Sequence, residues 1–310
     1  MEFKNLQEAI IYFKDEQFCR EHLAKLRWPD GKVVCPKCGA KGAYQYLDFK
    51  FYKCKSQTCK NRFSVTAGSM YENTKIPLSK WFVAIWLVSA HKKGVSSCQI
   101  ARDLGLGQKA GWFLLHRIRK MLEVAAPEKL ENIVEVDECY IGGKWKNRSL
   151  SKRKQKKDQN GYYPTDKTPV MGFVQRDGNA ALTVMGKNFN DETMKELVRK
   201  HLKKESVLIT DSHLGYKGLG KEFADHQSVN HSIEEYKRGI FHTNSVEGFF
   251  SQLKRSIYGC YHQVSPKHLR NYCTETAYRY NTRKLTDTQR FNMTLLKFDG
   301  RLTYKDLIKK

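Results

Sequence analysis

Two cysteine pairs, Cys35-Pro-Lys-Cys38 and Cys54-Lys-Ser-Gln-Thr-Cys59, stand 15 residues apart near the start of this chain. No other feature restricts folding so tightly. Each pair can offer two thiolates on one side of a turn, and Gly39 relieves the turn after the first pair. Four thiolates suit one tetrahedral Zn²⁺, and a shell closed in this way is structural and leaves no open position for chemistry. The spacer AYQYLDFKFYK alternates as a hairpin does, so a four-cysteine zinc ribbon is expected. Cys19, Cys98, Cys139, Cys260 and Cys273 have no partner spacing and are expected to be small buried residues. An odd cysteine count with zinc spacing points to a reducing compartment and away from a disulfide framework.

The charge comes next. Lys and Arg number 56 against 32 Asp and Glu, a formal charge of +24 over 310 residues. Such an excess calls for partners of dense negative charge, DNA or RNA above all. Hydrophobic residues make up 40% of the chain, enough for real cores, so the charge does not belong to a disordered tail. The N-terminus carries acidic residues early and does not read as a signal peptide. The longest apolar run, WFVAIWLVSA, is about half the length needed to cross a bilayer and reads as a buried helix. A soluble, cytoplasmic, nucleoid-associated protein with no membrane partner is expected.

Three regions follow from the pattern. Residues 1–70 hold a helix and the ribbon. Residues 71–128 are helical, with breaks at Lys93-Gly94 and Gly105 to Gly107 and a linker around Pro127. From residue 129 to 310 strand-like runs appear, IVEVDECYI, TPVMGFVQR, AALTVMG and SVLITD, with a helix near 191–204 and further helices from about Asn244. The segment 144–161 is a basic insertion with eight Lys and Arg between 144 and 157. Such a segment cannot enter a core, and Lys144, Lys146, Arg148, Lys152, Arg153 and Lys154 are expected to touch DNA phosphates.

In the second region, SSCQIARDLGLGQKAGWFLLHRIRKML places Ile100, Ala101 and Leu104 on one helix and Gly105 at its end. Trp112, Phe113, Leu115 and Ile118 fall on the next. This is the helix-turn-helix pattern, with an ordinary helical hairpin as the alternative. A groove-facing second helix would bring Gln108, Lys109, Arg117 and His116 to DNA.

In the third region, Asp137 lies in the first strand and Asp211 closes SVLITD, at the carboxyl end where sites in α/β sheets gather. Glu247 opens the helical run SVEGFFSQLKRSIYG. Three carboxylates from two strands and a helix can converge on a pair of divalent cations, an arrangement suited to phosphodiester chemistry. Period two puts Glu135 on the same face as Asp137 and Glu138 on the other, so Glu135 remains a rival. Asn244, Lys254 and Arg255 share the helix of Glu247 and are expected to meet DNA.

These motifs together resemble the DDE transposases of insertion sequences, the group with an N-terminal zinc ribbon and an ISXO-type, Merlin-like catalytic domain. The residues carrying the resemblance are CPKC and CKSQTC, VDECYIGGK, ITDSHLGYKGL, HTNSVEGFFSQLKRSIYGCYHQVSPKHL and YRYNTR. It implies an α/β, ribonuclease-H-like fold with a mixed sheet flanked by helices. Asp137, Asp211 and Glu247 would be catalytic ligands of two Mg²⁺ or Mn²⁺ ions, with one structural Zn²⁺ at Cys35, Cys38, Cys54 and Cys59. Relatives with Asn as the third ligand keep Asn244 in view, and His242 and Tyr216 fall within the motifs. The implied activity is binding of terminal inverted repeats, metal-dependent strand cleavage and strand transfer, by a homodimer or higher homo-oligomer on DNA. Two alternatives are a DNA-binding regulator with an inactive ribonuclease-H-like domain and a structure-specific nuclease.

Overall fold

The computed structural model describes residues 3–47, 49–123, 129–143, 167–186, 189–229 and 239–309. They form two compact units: Met1–Glu123 with Lys284–Lys310, and Val124–Arg283. The basic segment with Lys144, Lys146, Arg148, Lys152, Arg153 and Lys154 lies outside the described residues.

The first unit opens with α1 (Leu6–Tyr12) and α2 (Glu16–Arg27), whose N-caps Asn5 and Asp15 accept from the backbone N–H of Glu8 and Phe18. These side chains satisfy amides that a helix start leaves unpaired. Three short antiparallel strands follow, β1 (Ala43–Gln45), β2 (Phe51–Cys54) and β3 (Arg62–Ser64), the hairpin expected from the alternating spacer. Helix α3 (Leu78–Ala90) is the apolar run WFVAIWLVSA. It is buried on nearly every side, with Trp81, Phe82, Ala84 and Ile85 fully enclosed. Its first residues lack a side-chain cap of their own, and Glu16 from α2 accepts from the amides of Leu78 and Ser79 at 3.0 and 3.2 Å. Among the described residues, no helix is long and apolar enough to cross a membrane.

Helices α4 (Ser97–Asp103) and α5 (Gln108–Met121) form the expected helical pair. Gly105 has φ +58 between them, a left-handed conformation that suits glycine. A Cβ at Gly111 would meet the Ser97 carbonyl oxygen at 2.9 Å, so the two helices approach as closely as they do because this residue has no side chain.

The catalytic region was expected to run to residue 310, yet Lys284–Lys310 cluster with the first unit. Helix α9 (Asp287–Leu295) buries Phe291, whose ring lies 5.8 Å from Trp86, 5.3 Å from Phe3 and 5.6 Å from Phe13. An aromatic cluster completed from both ends of the chain explains the difference, since local periodicity does not say which core a helix enters.

The second unit is built on a five-stranded mixed sheet. Strands β4 (Ile133–Ile141), β5 (Thr168–Gln175) and β6 (Ala180–Val184) are antiparallel neighbours. Strands β7 (Val207–Asp211) and β8 (Asp225–Val229) lie parallel to β4 on its other side, giving the order β6-β5-β4-β7-β8. This is the ribonuclease-H-like arrangement. One face, with Val134, Val136, Phe173 and Leu208, packs on α6 (Asp191–His201) through Met194 and Val198. The opposite face, with Cys139, Ile141, Val170 and Val174, packs on α7 (Asn244–Ser256) and α8 (Pro266–Asn281). Alternation along β4 thus sends Glu135 and Asp137 towards α7, as period two requires.

Candidate active site

Parallel pairing of β4 with β7 runs through Ile133↔Val207, Val134↔Leu208 and Glu135↔Ile209. Two residues further along, the same register sets Asp137 level with Asp211, where the β4–β7 pairing has stopped and both side chains are half-buried. Carboxylate oxygens of Asp137, Glu138 and Asp211 lie within 4.8 Å of one another. Asp137 accepts from the Glu138 amide at 2.7 Å, and Asp211 accepts from the His213 amide at 3.0 Å. Burial pushes the Asp137 carboxyl up to about 7, with the Glu138 amide opposing and the charges of Glu138, Asp211 and Glu247 adding to the rise. Four acids therefore act on one spot, and repulsion of this kind is relieved by a cation.

Glu247 stands outside the 4.8 Å group but within electrostatic reach of Asp137, with its Oε1 accepting from the Thr243 hydroxyl at 3.0 Å. The helix that carries it is held to the sheet at two points. Glu135, fully buried, accepts from the backbone N–H of Ser245 at 2.7 Å, the Ser245 hydroxyl at 2.9 Å and the Val246 amide at 3.2 Å. Thr243 gives α7 no side-chain cap, so the carboxylate from β4 supplies it. Arg176 pairs with the same carboxylate at 2.8 Å and donates to the carbonyls of Ile240 and His242, fixing the approach to the helix. Glu135 is thus a structural acid, which separates it from Asp137. The second point is Gly172, opposite Asp137 in β5, where a Cβ would lie 2.6 Å from the Phe250 ring. Only a bare backbone lets α7 sit this close.

Glu138 was expected on the far face and was not singled out. It lies on that face, where the Tyr216 hydroxyl donates to it at 2.7 Å, yet beyond the last β4–β7 pair it still reaches Asp211. Burial raises its carboxyl, Tyr216 opposes, and Asp211 adds to the rise. The signal available was the acid next to Asp137 together with a tyrosine in the segment after Asp211.

The remaining expected residues fall unevenly. Asn244 and Arg255 are exposed on α7, and Lys254 is close enough to act on the Cys139 thiol of β4. Gln108 and Lys109 are exposed at the start of α5, where Lys109 lies over the Tyr304 ring at 4.6 Å. Arg117 and His116 are corrections to the groove-facing set, because both are buried. Arg117 donates to the Glu72 carbonyl at 2.7 Å and lies over Trp81 and Phe113, and burial lowers its pKa to about 10. Residues 114–119 of α5 are all buried, so helical periodicity does not expose His116 or Arg117.

In the first unit the four cysteines form one cluster, with sulfur separations of 3.9 Å for Cys35–Cys59 and 3.7 Å for Cys38–Cys54. Tetrahedral ligands at a zinc–sulfur distance of about 2.3 Å stand about 3.8 Å apart, so the donor set fits this metal. Burial disfavours the Cys35 thiolate, but the amides of Cys38 and Lys37 together with the Cys38 and Cys54 thiols outweigh it and bring the thiol down to about 7.

Two regions of the chain match known protein families. Residues 129–281 match the ISXO2-like transposase domain, and residues 14–62 match the transposase zinc-ribbon domain. The chain carries an ISXO2-like transposase domain behind a transposase zinc ribbon. An uncharacterized protein in transposable element ISH50 of Halobacterium salinarum is 26% identical over 254 residues, covering 79% of this chain and 84% of that one. Among solved structures, a pre-cleavage Mos1 transpososome has a TM-score of 0.23 at 12% identity, covering 64% of this chain and 73% of that one. The Mos1 strand transfer complex has 0.22 at 14%, covering 62% and 73%. Likenesses this slight leave the fold of the transposase domain to rest on its strand order.

Proposed function

We propose that this protein is an active transposase that binds the terminal inverted repeats of its insertion sequence, cuts there and joins the freed 3′ hydroxyls to target DNA. The observation that carries this reading is the register setting Asp137 level with Asp211, with Glu247 within electrostatic reach of Asp137, in a transposase domain on a chain of +24. Asp137, Asp211 and Glu247 would hold two Mg²⁺ or Mn²⁺ ions, for which clustered carboxylates are the right donors. Bound ions supply activation of the attacking oxygen and stabilisation of the leaving one. Glu135 and Arg176 orient the helix of Glu247, and Tyr216 orients Glu138 beside the pair of aspartates. Asn244, Lys254 and Arg255 contact phosphates next to the cut, and Gln108 and Lys109 meet the repeat through α5. The cluster of Cys35, Cys38, Cys54 and Cys59 holds one Zn²⁺ and keeps the ribbon folded. The working form is a homo-oligomer on DNA, in the cytoplasm.

The test uses duplexes ending in the DNA that flanks the gene. Wild type should cut them only with Mg²⁺ or Mn²⁺, and Asp211→Asn should bind as well but cut at least 100-fold more slowly. Undiminished cutting by Asp211→Asn sinks the assignment. Binding without cutting by the wild type would instead mark an inert regulator, and cutting without regard to repeats would mark a structure-specific nuclease.

A further inference from the structure

After Asp211 the chain makes two tight turns, Leu214–Tyr216 and Leu219–Lys221, before β8 runs alongside β7. Between these turns and the strand lies a cleft of about 420 Å³ that begins at Asp211 and takes in His213, Lys217, Lys221, His226 and Ser228. That volume falls within the usual range for a small-ligand site, and as in such sites most of the lining surface is apolar, with polar side chains set into it. Two exposed ammonium groups serve one anion well. Gly218 leaves open space where a side chain would stand, and a Cβ at Gly220 would come only to 3.5 Å of His226.

The two imidazoles have assigned roles. Thr210 donates its hydroxyl hydrogen to the Asp211 carbonyl at 2.7 Å, so at 3.0 Å it accepts from His226 Nε2. This leaves His226 Nδ1 as an acceptor in the neutral ring. His213 Nδ1 accepts from the Gly215 amide at 3.1 Å, which leaves Nε2–H as its donor. One donor, one acceptor, a serine hydroxyl and two cations, next to a carboxylate of the cutting site, match a base edge and a phosphate in succession.

We infer that the cleft beside Asp211 receives a single unpaired nucleotide of the strand being cut, its phosphate towards Lys217 and Lys221 and its base against His213, His226 and Ser228. The inference rests on the transposase reading and deepens it. A nucleotide held here is continuous with the phosphate at Asp211, and taking it out of the stack costs a few kcal/mol that the cleft's contacts offset. Freed from stacking, the neighbouring phosphate gains room to turn in line with its attacker.

The experiment places 2-aminopurine at each nucleotide within three of the cut, in a duplex carrying the element's end, without added Mg²⁺. Binding by the wild-type chain should brighten the probe several-fold at one position and leave the others dim. Lys217→Ser with Lys221→Ser should lose most of that brightening, and Ser228→Trp, which fills the cleft, should lose it while still binding the duplex. Should Ser228→Trp fail to fold, the lysine pair still decides the matter. Wild type that cuts but brightens at no position overturns the cleft's ligand alone, as does full brightening by the lysine double variant. Wild type that neither binds nor cuts DNA overturns the transposase reading and this inference with it.

Discussion

Glu135 on β4 and Ser245 on α7 meet through two bonds, the backbone N–H at 2.7 Å and the hydroxyl at 2.9 Å, although 110 residues separate them. The carboxylate is completely buried and balanced by Arg176. Removing one partner of a buried pair leaves the other charged and unpaired, which typically costs 3–5 kcal/mol. Glu135→Ala should therefore unfold the second unit at clearly lower urea. Glu135→Gln should keep part of the cap, fold better than Glu135→Ala, and still cut DNA more slowly than wild type. Equal stability for Glu135→Ala and wild type would falsify the positioning role.

Gly172 gives a test by crowding. Gly172→Ala places a methyl against the Phe250 ring, where overpacking commonly costs 1–3 kcal/mol. Trimming the ring in Gly172→Ala with Phe250→Leu should recover part of that loss, so the two changes should be non-additive in a double-mutant cycle. Strict additivity would mean that helix and strand do not press on each other here.

For the ribbon, elemental analysis of purified protein should return one zinc per chain. Cys54→Ser should lose the metal and expose the remaining thiols to a reagent such as DTNB, because so small a module has little core of its own. A zinc-free wild-type protein with four freely reacting thiols would contradict the assignment.

Acidification supplies a further handle. His201 is half-buried against Phe173, with rings 4.4 Å apart, and its Nε2 lies 2.9 Å from the Thr183 hydroxyl; desolvation first, and Lys200 second, lower its pKa to about 4. Below the unfolded value near 6.5 the unfolded chain takes a proton that the folded one refuses. This contribution to stability is present above pH 6.5 and is lost as pH falls towards 4. Asp137, raised by burial, acts in the opposite sense, so the comparison should be with His201→Asn. Wild type should lose stability more steeply than the variant between pH 6.5 and 4, read from urea midpoints. Parallel pH curves would rule the histidine out.

Much of this architecture is legible in the residues. The cysteine spacing gives the ribbon because four thiolates at those intervals have few other uses. Apolar runs give β4 to β7 and put Asp211 at the carboxyl end of its strand, while the register of β4 on β7 sets Asp137, in the middle of β4, level with it. Strand β8 escapes notice because DHQSV has one buried apolar residue, Val229, and no alternation to read. Alternation along β4 could not separate Glu135 from Asp137, since both point to α7. What separates them is Arg176 and the free amides of a helix more than 100 residues away. The same alternation puts Glu138 on the face away from Asp137, but past the last β4–β7 pair both faces reach Asp211.

The seat of Phe291 among Phe3, Phe13 and Trp86 has a consequence for how the chain comes into being. A ribosome finishes residues 1–123 well before it makes the helix that closes their core, so the amino-terminal unit has to wait for the end of translation. On the proposed function, genes cut short by a stop codon or a deletion would then yield no stable amino-terminal fragment to compete with the intact chain for DNA. A fragment of residues 1–123 should show a weak, uncooperative thermal transition, and adding residues 284–310 through a flexible linker should sharpen it. A sharp transition in the shorter fragment would show that the amino-terminal unit folds without the helix that carries Phe291.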